Sequence, residues 1–131
     1  MANTFKLTIM TPDNIKMDEE VLSIITKTSE GKYELLANHA SIVLNTVPCV
    51  TEVTKANGEK LSLFTSDGVI GFKNNELNFC CGSSETKDEI DSGRAEEAKQ
   101  RAEKRLKDEK FDQQRVEAAL SRAIARLELK K

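Results

Sequence analysis

A chain of 131 residues and 14.6 kDa, with 38% hydrophobic and 32% charged residues and no tryptophan, can build one small core with an appendage but not two full cores. Its formal net charge is -2 and no stretch interleaves Lys or Arg with aromatic residues, which excludes nucleic acid as a partner attracted by charge. No basic segment followed by an apolar run opens the sequence, and nowhere do about eighteen apolar residues follow one another, so the expectation is a cytoplasmic protein that touches a membrane only through partners.

From Phe5 onward the chain alternates with period two: Phe5, Leu7 and Ile9 point one way, Lys6 and Thr8 the other, which predicts a strand. Thr11-Pro12-Asp13-Asn14 closes it, because proline fixes φ and Asx side chains favour turns. Residues 21–28 predict the next strand, and Gly31-Lys32 breaks the run before another at 33–36. Asn57-Gly58 between residues 50–54 and 61–65 predicts a hairpin, as does Lys73-Asn74-Asn75 between 69–72 and 76–80. Many short antiparallel strands imply a sandwich or barrel. Cys49, Cys80 and Cys81, odd in number and without metal-ligand spacing, are expected to be buried, reduced packing residues. His39 has no nucleophile motif or phosphate loop in support and is expected to pack in a loop.

After Gly82 the composition changes: 23 of the 44 residues 88–131 are charged, and alanine replaces the β-branched residues. Asp91 or Ser92 caps a first helix whose small and apolar residues Ala95, Ala98, Ala102 and Leu106 recur three or four apart. Asp112 caps a second, carrying Val116, Ala119, Leu120, Ala123, Ile124 and Leu127, so the two stripes face each other across residues 107–111. The predicted organisation is α+β: an antiparallel β-sandwich over residues 1–84 and an antiparallel two-helix hairpin over 85–131. An alanine-rich seam buries little area, and at ~25 cal/mol per Å² it holds the helices by only a few kcal/mol. The connector lacks Gly and Pro, so residues 92–128 also suit one helix of about 55 Å. A static clamp fits the same periodicity.

In a hairpin turning near residue 110, Arg94 stands level with Arg126 and Ala98 with Arg122, while Arg101 lies about one turn away. Converging cations need carboxylates, of which Glu97 and Glu128 are available, or a bound polyanion that satisfies the guanidinium forks. Both readings stay open from charge pattern alone.

Four segments in order carry a family resemblance. Phe5-Lys6-Leu7-Thr8-Ile9-Met10-Thr11-Pro12 resembles the first strand and turn of bacterial F-type ATP synthase epsilon subunits. Gly31-Lys32-Tyr33-Glu34-Leu35-Leu36-Ala37-Asn38-His39-Ala40 is similar to their G-x-x-x-L-L-x-x-H-A segment. Gly68-Val69-Ile70-Gly71-Phe72-Lys73-Asn74-Asn75-Glu76-Leu77 resembles their glycine-initiated hairpin, and the Ala/Glu/Arg-rich helices follow in place. The resemblance covers essentially the whole chain. Ser41, Pro48 and Gly71 depart from the usual proline, glycine and acidic residue, which bears on local turns.

The resemblance implies a rotor subunit without catalysis of its own, on the cytoplasmic face of the bacterial membrane. Its sandwich would bind the gamma subunit and the c-ring, and its helices would leave the sandwich, extend towards the alpha and beta subunits and block ATP hydrolysis. It favours the mobile hairpin over the clamp; a generic sandwich adaptor is the alternative. Residues 113–131 carry net charge +3, from Arg115, Arg122, Arg126, Lys130 and Lys131 against Glu117 and Glu128, which suits an acidic beta-subunit surface. Ile90-Asp91-Ser92-Gly93-Arg94-Ala95-Glu96-Glu97-Ala98-Lys99-Gln100-Arg101 is similar to the I-D-x-x-R-A-x-x-A-x-x-R pattern of ATP-binding epsilon subunits, with Glu85, Arg122 and Arg126 at matching places. By that likeness Arg94, Arg101, Arg122 and Arg126 would hold a triphosphate, Ala95 and Ala98 would leave room, and Glu85 with the Ile90 and Asp91 backbone would read adenine. No obligatory cofactor or metal is implied; ATP would be a regulatory ligand.

Overall fold

The computed structural model describes residues 3–131. The period-two segments form nine strands: β1 (Phe5–Met10), β2 (Ile15–Thr28), β3 (Gly31–Leu36), β4 (Ile42–Thr46), β5 (Cys49–Lys55), β6 (Lys60–Thr65), β7 (Gly68–Lys73), β8 (Glu76–Cys81) and β9 (Ser84–Thr86). Their order is β4-β7-β8-β1-β2-β5-β6-β9, with β3 beside β2. The long β2 joins the two layers: residues 15–21 pair with β1, while the later residues pair with β5 and β3. The enclosed core draws on both layers, with Phe5, Leu7 and Ile9 of β1 packed among Ile24, Val53, Leu63, Ile70, Phe72 and Phe79.

The strands depart from the sequence expectations in four places. β1 and β8 run parallel, within an otherwise antiparallel set; the pair lies far apart in sequence, so no tight turn dictates its direction, and it sets Leu7 opposite Leu77 and Ile9 opposite Phe79. β2 begins at Ile15 rather than at 21, because Met17 supplies an inward apolar position between the charged residues Lys16 and Asp18. β4 and β9 were not expected, and β9 lies astride the anticipated division between residues 84 and 85. Cys49 and Cys81 are buried, but Cys80 is exposed, since neighbouring strand residues face opposite sides and the outer side of β8 is open. Burial pushes the Cys81 thiol up to about 11.

The two hairpin turns differ. Asn74 (φ 52°) and Asn75 (φ 60°) are both left-handed, as a two-residue turn matching strand twist requires. Asn57 is not; only Gly58 (φ 88°) is, after a turn closed by its N–H to the Lys55 carbonyl at 2.9 Å. Gly68 is demanded by packing: a Cβ there would run into the Cys80 carbonyl oxygen. His39 sits half-buried, its Nδ1 donating to the Ala40 carbonyl at 2.7 Å and its ring edge-on to Tyr33 and Phe72, which is the packing role expected of it.

A 3₁₀ turn at Lys87–Glu89 leads into helix α1 (Ser92–Leu106), and α2 (Gln113–Lys130) returns along it. Asp91, not Ser92, caps α1 by accepting the Arg94 N–H at 3.1 Å; Asp112 caps α2 by accepting those of Gln114 and Arg115. Ala95, Ala102, Val116 and Ala123 are buried, but Ile124, placed by periodicity in the seam, is 45% exposed. The residues that dock α2 on the sandwich are instead Ala125 and Leu129, packed with Phe64 of β6 and Ile90. This second cluster is small beside the sandwich core.

Candidate functional site

The hairpin meets the sandwich at β9. Pairing of Phe64 with Glu85 across β6 and β9 sets an aromatic face beside a carboxylate, and Arg126 of α2 reaches both. Its Nε donates to Glu85 Oε1 at 2.6 Å, its Nη2 donates to Ser83 Oγ at 3.3 Å, and its guanidinium lies 4.3 Å over the Phe64 ring. Arg126 therefore finds its carboxylate on the sandwich, not at Glu97 or Glu128. Lys130 Nζ adds a bond to the Lys87 carbonyl at 2.9 Å. Nearby, Glu89 Oε1 accepts the Thr86 N–H at 2.9 Å and its Oε2 accepts from Lys16 Nζ at 2.8 Å; the lysine first and the backbone second hold its carboxyl down at about 2.

Two cavities follow the seam and meet at Ala98. One, of about 290 Å³, opens against the sandwich between Glu85, Glu89, Asp91, Arg94, Ala95 and Arg126. The other, of about 400 Å³, lies towards the helical turn and is lined by Arg101, Arg105, Arg115 and Arg122, with Asp112 and the small residues Ala102 and Ala119. Of the residues singled out in the sequence, Glu85, Asp91, Arg94, Ala95, Ala98 and Arg126 thus share the first cavity. Arg101 and Arg122 belong to the second, and Ile90 lines neither, being buried beneath α2. Among the described residues only Arg126 of these arginines is ion-paired, so the expected carboxylate lattice is confined to one pair.

Sequence reading missed Glu89, Phe64, Arg105 and Arg115. The last two carried a usable signal: Arg105 is four residues beyond Arg101 and Arg115 seven before Arg122, which places each pair on one helix face. Phe64 carried none, because its outward position on β6 becomes covered only when α2 docks. No group of three or more His, Cys, Asp or Glu able to hold a metal occurs among the described residues. No helix there is long and apolar enough to cross a membrane.

The fold and its seam define a two-part subunit, a β-sandwich bearing a docked helical hairpin. Residues 4–87 match the ATP synthase delta/epsilon chain beta-sandwich domain and residues 88–131 its long alpha-helix domain, so the chain belongs to the ATP synthase delta/epsilon family. Its relatives include the ATP synthase epsilon chain of Clostridium botulinum (strain Eklund 17B / Type B), 46% identical over 132 residues, with 100% of this chain and 98% of that one covered. The epsilon chain of Clostridium kluyveri (strain ATCC 8527) is 42% identical, with 100% of both covered. The fold also matches a chain in Euglena gracilis mitochondrial ATP synthase, OSCP/F1/c-ring, with TM-score 0.80 and 23% identity over 95% of this chain and 79% of that one. A second match lies in the central stalk/c-ring of Tetrahymena thermophila mitochondrial ATP synthase, with TM-score 0.63 and 12% identity over 96% of each chain.

Proposed function

We propose that this epsilon subunit works in the rotor of an F-type ATP synthase, without catalytic chemistry of its own, and that its hairpin is a nucleotide-responsive brake on ATP hydrolysis. The sandwich, residues 1–84, binds the gamma subunit and the c-ring and so transmits ion-driven rotation on the cytoplasmic face of the membrane. Residues 85–131 form the regulatory part; released, they extend towards the alpha and beta subunits, whose acidic surface suits the basic end of α2. ATP holds the hairpin down: Arg94, Arg101, Arg122 and Arg126 take its phosphates, and the Glu85 and Asp91 region faces its base.

The observation that carries this reading is the contrast between a small docking interface and a seam in which Arg94, Arg101 and Arg122 have no ion-pair partner among the described residues. Four buried residues, one half-buried ion pair and the hydrogen bonds of Arg126 to Ser83 and of Lys130 to Lys87 hold α2 down, so a ligand that favours the compact state by a few kcal/mol shifts the balance. Titration calorimetry of the full chain with ATP, MgATP and ADP tests it. Saturable ATP binding that disappears in both Arg94→Ala and Arg101→Ala is the expected result; heat indistinguishable from dilution at millimolar ATP would remove the latch and leave the arginines to partner contacts.

The rival reading, a static clamp, draws on the Arg126–Glu85 pair, which fastens the hairpin without any ligand. The two readings part on whether ATP slows hydrogen exchange in α1 and α2.

A further inference from the structure

The chain between the two helices bends without the usual backbone devices. Helix α1 ends at Leu106 and α2 begins at Gln113, yet none of residues 107–112 is glycine or proline and none has a positive φ. No left-handed residue therefore terminates α1; its Lys104 and Arg105 carbonyls take the N–H groups of Lys107 and Asp108 in a tightened last turn, at 3.2 and 3.1 Å. The bend is held by side chains instead. Asp108 Oδ1 accepts the Lys110 N–H at 3.0 Å, and the Phe111 N–H closes a turn on the Asp108 carbonyl at 3.3 Å. Asp112, its own backbone extended at ψ 111°, accepts the N–H groups of Gln114 and Arg115 on Oδ1 at 3.0 and 3.4 Å. Gln113 Nε2 donates to the Asp108 and Phe111 carbonyls, both at 3.2 Å, and the Arg105 guanidinium carbon lies 4.9 Å from the Phe111 ring centre.

We infer that residues 107–112 form a side-chain lock, in which Asp108 and Asp112 keep one potential helix folded into two. The groups these aspartates occupy are those a continuous helix needs. In such a helix the Lys110 N–H turns to the Leu106 carbonyl, and the N–H groups of Gln114 and Arg115 turn to the Lys110 and Phe111 carbonyls. Side chain and helix thus compete for the same donors, and each cap contact shifts such a balance roughly fivefold. Lys107, Glu109 and Lys110 between the two aspartates are good helix formers, so the intervening backbone favours straightening. Against it stands only the packing of the seam, where Ala95, Ala102, Val116 and Ala123 are buried. The lock therefore sets the shape of the hairpin once α2 leaves the sandwich: two linked arms while it holds, one rod of roughly 58 Å over residues 92–130 when it yields. The inference rests on the release of the hairpin in the proposed function, and not on any nucleotide.

Circular dichroism and small-angle X-ray scattering of the full chain test the lock, with Leu129→Ala as the background that loosens docking. Loss of an N-cap ordinarily frays a helix and lowers its ellipticity. Asp108→Ala/Asp112→Ala should instead raise helical ellipticity above that of Leu129→Ala alone, because the connector joins helices of 15 and 18 residues into one. The maximum dimension should grow by on the order of 20 Å as the rod projects from the sandwich. Adding Glu109→Pro should reverse both changes, since proline blocks a helix through this position but suits the second place of the Asp108–Phe111 turn. Amide exchange in β1 and β8 monitors the sandwich, and Arg126→Ala replaces Leu129→Ala as the background if that change disturbs it. Ellipticity that falls, or a maximum dimension equal to that of the background chain, overturns the lock and leaves the bend to helix packing. ATP takes no part in this experiment, so a failure to bind ATP removes the proposed latch without touching the lock, and a failed lock leaves the latch standing.

Discussion

Glu89 lies at the joint between sandwich and hairpin, and its carboxylate is held by Lys16 of β2 and by the Thr86 N–H. A carboxyl lowered from 4.5 to about 2 binds its proton less readily in the folded chain than in the unfolded one. The stability it contributes is therefore complete above about 4.5 and lost as pH falls towards and through about 2. Because the Glu89 side chain is 46% exposed, water screens the pair and the effect is modest. Denaturation midpoints measured across that window should fall less steeply in Glu89→Gln than in the parent, while the two chains run parallel above it. Arg126 shows how far such a residue is legible in sequence. Its charge and place on the seam follow from helical spacing, but its partner Glu85 sits on β9, a three-residue strand with no apolar pattern to announce it.

Among the elements, those with local signals were the easiest to read. β1 alternates cleanly, the β7–β8 turn has its two asparagines, and both helices carry an Asp cap. β4 exists through partners distant in sequence, Ile42 opposite Phe72 and Leu44 opposite Ile70, and no local pattern sets it apart. The faces of α2 were misjudged for a related reason: period alone cannot tell a stripe that meets α1 from one that meets the sheet, so Ala125 and Leu129 escaped notice while Ile124 was placed inside. Leu129 is the larger apolar group by which α2 holds Phe64 and Ile90, and Leu129→Ala should loosen docking by about 2 kcal/mol, near the low end for buried leucine because the last turn of a helix can relax. Hydrogen exchange resolves where the loss falls. Amides of α2 should exchange at least tenfold faster and those of β1 and β8 at the parent rate; equal acceleration in both would mean that hairpin and sandwich open as one unit.

The whole molecule joins a sandwich with a large buried cluster to a hairpin docked through a small one. Fourteen buried residues form the sandwich cluster, all between Phe5 and Cys81, whereas four form the docking cluster, two of them on α2. Release of the hairpin, as proposed above, would therefore leave the core intact, at the cost of exposing Phe64 and freeing Glu85 from Arg126. This asymmetry gives the proposed brake a direct test in the assembled ATP synthase: deletion of residues 88–131, with retention of the sandwich in the complex verified by co-purification. If the released hairpin blocks hydrolysis, the shortened subunit should raise the ATPase rate severalfold, and the rate should lose any lag that depends on ATP pre-incubation. Arg126→Ala, which weakens docking without removing the lever, should act in the opposite direction and deepen inhibition at low ATP. Opposite signs from the two changes require a mobile inhibitory element, whereas a static clamp gives no deeper inhibition in Arg126→Ala.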